Sequence, residues 1–265
     1  MPHTMHIVLA ILLIAVGPVC IFYLRPKMRS RVTEMKFMQT KTIADLRQIF
    51  SQMGESGLQE GYREYAELKG TAVSDPPAET PFSNQKVAYC ESTLSQVTEE
   101  RERYQDNDGH WQERVVRREN SISDEKSSQY LLFQDSSGAE RVTLEIDASG
   151  CTLDIPKTFD RFEPRTNLSG YRFFNNFGFG DFGADTLGFR MTEKTIRQNQ
   201  QLYVLGEAFL SGDEIHIGAP GDRKKPFIVT TKSEDDMVRS TEQNATLALI
   251  GGIASVAIGV LIIFL

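Results

Sequence analysis

Charged side chains are missing from both ends of this 265-residue chain. The first 24 residues and the last 23 contain no Asp, Glu, Lys or Arg, so all charge lies between Arg25 and Glu242. This distribution argues against a freely soluble enzyme. The chain also lacks a basic excess, with 29 Lys+Arg against 36 Asp+Glu. Because a general nucleic-acid-binding protein needs a basic surface, we expect no nucleic-acid partner.

Residues that build catalytic and metal sites are few and scattered. The cysteines and histidines of the charged region are Cys90, His110, Cys151 and His216. None is paired with another at the short spacing of a zinc site, and no G-x-S-x-G motif is present. Carboxylates such as Glu145, Asp147 and Asp154 are typical of a solvated strand face. We therefore predict no catalytic residue, no metal site and no cofactor.

The two uncharged ends have the length of membrane spans. Ile7–Leu24 covers 18 residues, and Ala245–Leu265 covers 21 residues with Thr246 and Ser255 as its polar members. About 20 apolar residues in a helix cross a bilayer core of about 30 Å. We predict an N-terminal anchor over residues 1–24 and a C-terminal helix and span over 233–265. The expected partner at both ends is the lipid bilayer.

Basic residues after the first span predict the orientation. Four of them follow it closely: Arg25, Lys27, Arg29 and Arg31. Lys and Arg near spans are retained on the cytoplasmic side. We therefore expect an integral membrane protein, in a bacterial inner membrane, whose middle region is cytoplasmic.

Small residues recur every four positions in the second span, at Gly251, Ser255 and Gly259. Such residues let two helices approach closely in lipid. This face is predicted to pack on the first span or on a second copy of the chain, which would give a homo-oligomer.

The region between the spans changes from helical to strand periodicity. Residues 25–58 are predicted to form a membrane-proximal helix, with Ser30–Gln52 helical and Thr40 or Thr42 as its cap. Residues 59–232 show many short strands separated by turn residues. The predicted strands are Tyr62–Val73, Val87–Tyr104, Trp111–Arg118, Tyr130–Phe133, Arg141–Ile146, Gln201–Phe209, Glu214–Ile217 and Pro226–Thr231. The fold class is mainly β (α+β), with antiparallel strands in a barrel or a sandwich.

A loop-rich insertion is predicted over residues 155–188, where the alternation fails. Within it, residues 170–186 are rich in Phe and Gly. This segment either touches the bilayer interface or a partner, or partly covers the β domain as a flexible insertion.

Seven segments together resemble the GIDE/BAM ("beside a membrane") family. They are Tyr62-Arg63-Glu64, Leu68-Lys69-Gly70-Thr71, Pro81-Phe82-Ser83, Val87-Ala88-Tyr89-Cys90, Thr186–Glu193, Leu202–Ala208 and Lys225–Val229. The resemblance runs through nearly the whole chain, spans included. That family includes the part of a mitochondrial RING-type E3 ubiquitin ligase that lies between its two spans.

The resemblance implies a candidate surface formed by the motif residues Arg190, Glu193, Tyr203, Gly206 and Glu207. These residues either bind a ligand or peptide, or serve as a signature of the fold. The ligase carries a zinc-binding RING after its second span, whereas this sequence reaches Leu265 within that span. The expectation is therefore a bacterial-type, stand-alone member without ubiquitin transfer.

Two functions follow from these observations. The first is a two-pass, membrane-anchored binding or scaffold module that recognises a protein or peptide. The alternative is a membrane-associated enzyme, either E3 ubiquitin transferase-like by family or a hydrolase that uses carboxylates or Cys90.

Overall fold

A computed structural model describes residues 2–29, 33, 38–58, 61–106, 109–136, 138, 140–166, 183 and 185–264. The chain forms two compact units, one of residues 1–40 with 232–265 and the other of residues 41–231. The longest described helices are α1 (Pro2–Pro18), α2 (Ile43–Glu55) and α3 (Glu234–Phe264). The first unit contains α1 and α3, and the second contains α2 and the sheets.

Small residues bring α1 and α3 together. Ser255 Oγ donates a hydrogen bond to the Leu13 carbonyl at 2.7 Å. A Cβ at Gly252 would lie 2.9 Å from the Gly17 carbonyl, and nothing lies within 4 Å of one at Gly251. The packing surface therefore includes Gly252, Ser255 and Gly259, and Gly251 points away from it. Packing on the first span, one of the two predicted alternatives, is present within the chain.

Pro18 ends α1, and the helix continues in the wider π-type turns of Val19–Leu24. Proline has no N–H for the helical ladder and its ring crowds the preceding turn, which explains the change of helix type. Two stretches, Ala10–Arg29 and Glu234–Ile263, are long and apolar enough to cross a membrane.

Thirteen strands lie among the described residues of the second unit. They are β1 (Arg63–Val73), β2 (Ala78–Glu79), β3 (Lys86–Val87), β4 (Tyr89–Gln105), β5 (Trp111–Lys126), β6 (Leu131–Asp135), β7 (Arg141–Leu144), β8 (Cys151–Asp154), β9 (Lys157–Pro164), β10 (Thr186–Ile196), β11 (Gln201–Ser211), β12 (Glu214–Gly218) and β13 (Phe227–Thr230).

Five strands close into a barrel in the order β1-β6-β7-β12-β11, with β11 pairing back to β1. Strand β1 makes this closure possible because its first part pairs with β11 and its last part pairs with β6. A Cβ at Gly70, where β1 pairs with both, would lie 2.6 Å from the Phe133 ring. The pairs β7–β12 and β8–β13 are parallel, and the other strand pairs are antiparallel. The predicted strand-rich barrel is confirmed.

Alternate residues of the barrel strands build one apolar core. Its members include Leu68, Phe133, Val204 and Ile217, all fully buried. The helix α2 adds Ile43, Leu46 and Phe50 to the same core. Thr42 begins this helix with a capping box in which Asp45 bonds back to the Thr42 backbone. The compact β unit therefore begins at Lys41, whereas the sequence analysis divides the chain at residue 58.

A second sheet lies outside the barrel order and runs β5-β4-β10-β9. One face of this four-stranded sheet packs on a small cluster of Phe82, Leu94, Phe189 and Met191. The short β2–β3 hairpin carries Phe82 at its turn. The β4–β5 hairpin is long: β10 pairs with β4 only as far as Thr98, and the hairpin continues to Gln105 and Trp111.

Two sequence predictions of local structure are wrong, and a third holds only in part. The loop predicted over 155–188 contains strand β9, which is exposed at a sheet edge and so shows no apolar alternation. Strand β10 was missed because its buried face continues from Phe189 and Met191 into Glu193 and Thr195. The helix predicted over 30–52 is helical over residues 43–52, but it is interrupted because residues 38–42 are not helical and Thr42 is extended; residues 30–32 and 34–37 lie outside the described residues. Most of the Phe/Gly-rich segment 170–186 lies outside the described residues.

Candidate functional site

Glu193 is fully buried in β10, and its carboxylate holds the turn that carries Phe82. One carboxylate oxygen accepts hydrogen bonds from the backbone N–H groups of Phe82, at 2.6 Å, and Ser83, at 3.1 Å. The other accepts the Ser83 hydroxyl. Two of the segments that carry the family resemblance, Pro81-Phe82-Ser83 and Thr186–Glu193, thus meet at one carboxylate. Three hydrogen bonds from the turn occupy both of its oxygens.

Tyr203 and Gly206 are also enclosed by the fold. The Tyr203 hydroxyl donates to Glu67 Oε2 at 2.9 Å, and both side chains are almost completely buried. A Cβ at Gly206 would lie 2.8 Å from the Phe227 ring and 2.9 Å from Ile217. Glycine at this position therefore permits the close packing of the barrel strands.

Glu207 lies in the middle of β11, between Tyr65 of β1 and Gly218 of β12, and holds a loop. Its carboxylate accepts a hydrogen bond from the Gly221 N–H at 2.8 Å and faces Arg63 at 3.5 Å. Arg63 in turn covers the ring of Phe209. Of the five candidate residues, Tyr203, Gly206 and Glu207 belong to the barrel and Arg190 and Glu193 to the four-stranded sheet. The structure does not join them into one site.

Arg190 is the one candidate on an open surface. Its guanidinium binds Asp160 of β9 in two parallel hydrogen bonds of 2.7 and 2.9 Å, and lies 3.5 Å from Glu119 of β5. Hydrogen bonds from Arg190 and then from Lys157 hold the pKa of Asp160 well below its usual value. Arg190 therefore ties three of the four strands together on the outer face of the sheet.

A groove of about 500 Å³ surrounds Arg190 on this outer face. Three apolar side chains contribute to it: Val97 from β4, Phe162 from β9 and Leu187 from β10. The remaining lining residues are Arg117, Arg118, Glu119 and Arg190. Register explains the arrangement, because Phe162 and Arg190 are cross-strand partners, as are Val97 and Glu119.

Exposed apolar side chains extend this face along the β4–β5 hairpin. On β5 of this hairpin, Trp111 is 71% exposed and Val115 is 57% exposed; on β9, Phe162 of the groove is 46% exposed. Apolar residues concentrated on one exposed face of a sheet indicate an interaction surface more than single exposed residues do. This groove was not predictable from the sequence pattern, because Phe162 lies in the predicted loop and β10 does not show an all-apolar alternation. A signal for strand β10 was present in the sequence. The polar residues Arg190 and Thr192 alternate with Phe189, Met191 and Glu193, which the structure buries.

The thiol proposed for hydrolysis does not suit that role. Cys90 is 3% exposed, and burial first, with Glu193 and Glu91 after it, raises its pKa to about 12. Burial likewise raises the pKa of Cys151 to about 12. Both thiols are therefore protonated at neutral pH, and the thiolate is the nucleophilic form.

Two of the carboxylates considered for acid–base work are each engaged by a different side chain. Glu145 faces the ring of His216 at 3.2 Å on the barrel, and Asp147 pairs with Lys126 at 2.5 Å. No group of three or more His, Cys, Asp or Glu side chains able to hold a metal ion occurs among the described residues.

Arg25, Lys27 and Arg29, three of the residues expected to set the topology, follow the first apolar helix in a helical segment. Lys27 lies over the Tyr23 ring, with its Nζ 5.7 Å from the ring centroid. Arg31 lies outside the described residues.

The fold and the surface define a β-barrel protein with an added sheet, an open groove on that sheet and two apolar helices. The comparison with protein families agrees: a family model described as "GIDE: E3 Ubiquitin ligase" matches residues 99–264, more than half of the chain. The chain belongs to the GIDE family. No curated protein and no solved structure matches it.

Proposed function

We propose that this GIDE-family chain is a two-pass, membrane-anchored module that binds a protein partner at the outer face of its four-stranded sheet. The observation that carries the proposal is the groove of Val97, Phe162 and Leu187 bordered by Arg117 and Arg190. Protein interfaces are enriched in exposed aromatic residues and arginine, and both occur together here.

The charges of the groove favour a protein over a polyanion. Arg190 is held by Asp160 and Glu119, and Arg118 by Glu100 and Glu102. These arginines are largely neutralised by neighbouring carboxylates, whereas binding to phosphate backbones needs cations that displace counterions. A surface with interspersed charges and an apolar centre matches the anatomy of a protein interface.

Membrane anchoring is part of the same proposal. Its support is the pair of apolar helices, Ala10–Arg29 and Glu234–Ile263, which pack through small residues. Arg25, Lys27 and Arg29 favour a cytoplasmic position for the domain between them. In sealed cells we expect externally added protease to spare this domain. Digestion of the domain from outside would overturn the orientation and leave the binding proposal standing.

A matched pair of aromatic substitutions tests the groove. Phe162→Ala and Tyr130→Ala both remove an exposed ring, at 46% and 52% exposure, but Tyr130 lies outside the groove. Full-length chain in detergent would be used to capture partners, which are identified by mass spectrometry. We expect a specific partner retained by the intact chain and by Tyr130→Ala but lost with Phe162→Ala. A partner that both variants retain, or that both variants lose, would contradict the groove as the binding site.

Ubiquitin transfer is the second candidate, and the description of the matching family favours it. We propose that the described domain contributes binding rather than transfer. Its support is the saturated carboxylate of Glu193 and the buried thiol of Cys90. The purified chain, mixed with ubiquitin, activating enzyme, a panel of conjugating enzymes and ATP, is expected to form no ubiquitin conjugates. Conjugates that depend on the chain would establish the enzymatic alternative.

A further inference from the structure

Strand β5 forms an edge of the four-stranded sheet over all 16 of its residues. Its pairing among the described residues is with β4 alone. Beyond Thr98 the described strand pairing of β4 is with β5, and one further backbone hydrogen bond runs from the Glu99 N–H to the Asp185 carbonyl at 2.9 Å. An edge strand presents a row of backbone N–H and C=O groups that can pair with another strand. This edge contains no proline and no glycine.

We propose that the edge pairs with the β5 strand of a second copy of this chain. The two strands run antiparallel, and the two-fold axis passes through Val115. In this register residue 115 faces itself, Glu113 faces Arg117 of the second copy, and Trp111 faces Glu119 of the second copy. The pairing uses the backbone edge of the sheet, and two of its side chains, Arg117 and Glu119, also line the groove. The Phe162→Ala capture test stays separate from the dimer tests, because Phe162 lies on β9 at the opposite edge of the sheet.

Charge selects this register. A two-fold axis perpendicular to the sheet keeps a given side chain on the same face of the sheet in both copies. Residues that oppose each other therefore differ by an even number of positions, and one residue at the axis lies opposite its own copy. Axes at Arg114, Arg117, Arg118 or Glu119 would place like charges directly opposite each other. An axis at Val116 would oppose Glu113 to Glu119 and Arg114 to Arg118. Directly opposite like charges destabilise a sheet, and opposite charges stabilise it.

One other register, with its axis at Ser121, would also pair opposite charges. It is disfavoured by the bulge of the β4–β5 pair, which interrupts the register between Leu94 and Ser95 and leaves Ile122 without a cross-strand partner. A bulge twists an edge and hinders further pairing. The regular part of the edge is therefore Trp111–Asn120, and Val115 is at its centre.

The pairing also buries the most exposed apolar residues of the hairpin. Val115 and Trp111 are 57% and 71% exposed and lie on the outer face. Arg117 lies 4.0 Å from Glu99, and Glu113 accepts a hydrogen bond from Arg103 at 3.0 Å. The new pair between Glu113 and Arg117 would join these two cross-strand pairs into one network of alternating charge. A perpendicular two-fold axis keeps the outer faces of both copies on the same side. The two grooves of such a dimer would thus face one direction.

A cysteine at the axis tests the register. Val115→Cys and the control Glu113→Cys would be made in the full-length chain and oxidised in membranes, with the unsubstituted chain as the background for native cysteines. In the proposed dimer two cysteines at position 115 face each other. Those at 113 are displaced by four residues, roughly 13 Å. We expect a disulfide-linked dimer with Val115→Cys and only background with Glu113→Cys. Equal linkage at both positions, or none at 115, overturns the proposal.

Charge exchange gives a second measurement that needs no cross-linking. Glu113→Arg or Arg117→Glu alone would place two like-charge contacts in each dimer and weaken association roughly tenfold. The double substitution restores opposite charges and should recover association of the detergent-solubilised chain, measured by light scattering. Both side chains are exposed, so circular dichroism should be unchanged. A chain that is monomeric throughout, or single variants that associate normally, would contradict the pairing.

Discussion

The barrel and the four-stranded sheet of this protein are stabilised in different ways. The barrel closes on itself and fills its interior with apolar side chains such as Leu68, Phe133 and Val204. The four-stranded sheet has a small apolar cluster on one face, a buried carboxylate at Glu193, and ion pairs on the other face. Among the described residues, the four-stranded sheet has the longer free edge, β5, and an open groove on its outer face.

This difference separates stability from recognition. The five barrel strands pair on both sides, so the barrel itself has no free edge, and the sheet extends from β11 through β13 to the four-residue edge strand β8. The second sheet is built from segments inserted between barrel strands, namely β4–β5 between β1 and β6, and β9–β10 between β7 and β11. Changes there should therefore affect local structure and binding before they affect the barrel.

The largest expected effect comes from the same substitution made in each region. Phe133→Ala empties a fully buried position in the barrel and should lower the free energy of unfolding by about 4 kcal/mol. Phe162→Ala removes a ring that is 46% exposed and should change it by less than about 0.5 kcal/mol. Urea unfolding of the full chain in detergent, followed by the circular dichroism of the β structure, measures both. Similar losses would show that the two regions do not differ in this way.

A smaller and more local effect is expected at Glu193. Glu193→Gln removes the charged acceptor of the Phe82 and Ser83 N–H groups and should cost about 2 kcal/mol. The matched change Glu119→Gln, at a half-exposed carboxylate near Arg190, should cost much less.

Hydrogen exchange shows where Glu193→Gln loses protection, in the four-stranded sheet or also in the barrel. Amide hydrogen exchange at Phe82 and Ser83 should accelerate in Glu193→Gln while the barrel amides keep their protection, because regions of a protein can open independently. Faster exchange throughout the barrel would indicate that the second sheet and the barrel unfold as one unit.

The barrel was the more predictable of the two regions. Alternating apolar residues in Arg63–Val73 and Gln201–Ser211 identify β1 and β11 from sequence alone. Their neighbours in the barrel were also expected as strands, because a buried interior imposes a period of two. The closure of β11 onto β1 was not predictable, since it joins residues far apart in the sequence.

The second sheet was harder to predict because polar residues take structural roles in it. Glu193 is buried in β10 at a position where the pattern calls for an apolar side chain. Strand β9 lies at an edge and alternates weakly. The motif residues Arg190, Glu193, Tyr203, Gly206 and Glu207 were recognised by resemblance, but sequence could not show that they stand in separate places. The groove depends on cross-strand neighbours, and these follow only from register.

The smallest expected effect concerns the ion pair between Asp160 and Arg190. The pKa of Asp160 is lowered by its hydrogen bonds to Arg190 and then Lys157, so the pair stabilises the folded chain above the unfolded pKa of about 3.9. This contribution should be lost as the pH falls through the lower folded pKa. The difference in unfolding free energy between the native chain and Asp160→Asn should therefore shrink between pH 7 and strongly acidic pH.

Added salt should also reduce the difference in unfolding free energy between the native chain and Asp160→Asn, because added ions screen exposed charges. The loss caused by Phe133→Ala, which arises from burial of apolar surface, should respond little to moderate salt. Urea titrations at neutral and acidic pH, each with and without added sodium chloride, test both expectations. An Asp160→Asn difference that is independent of pH and salt would mean that the outer face is held by packing, as the barrel is, and that its ion pairs add nothing to the fold.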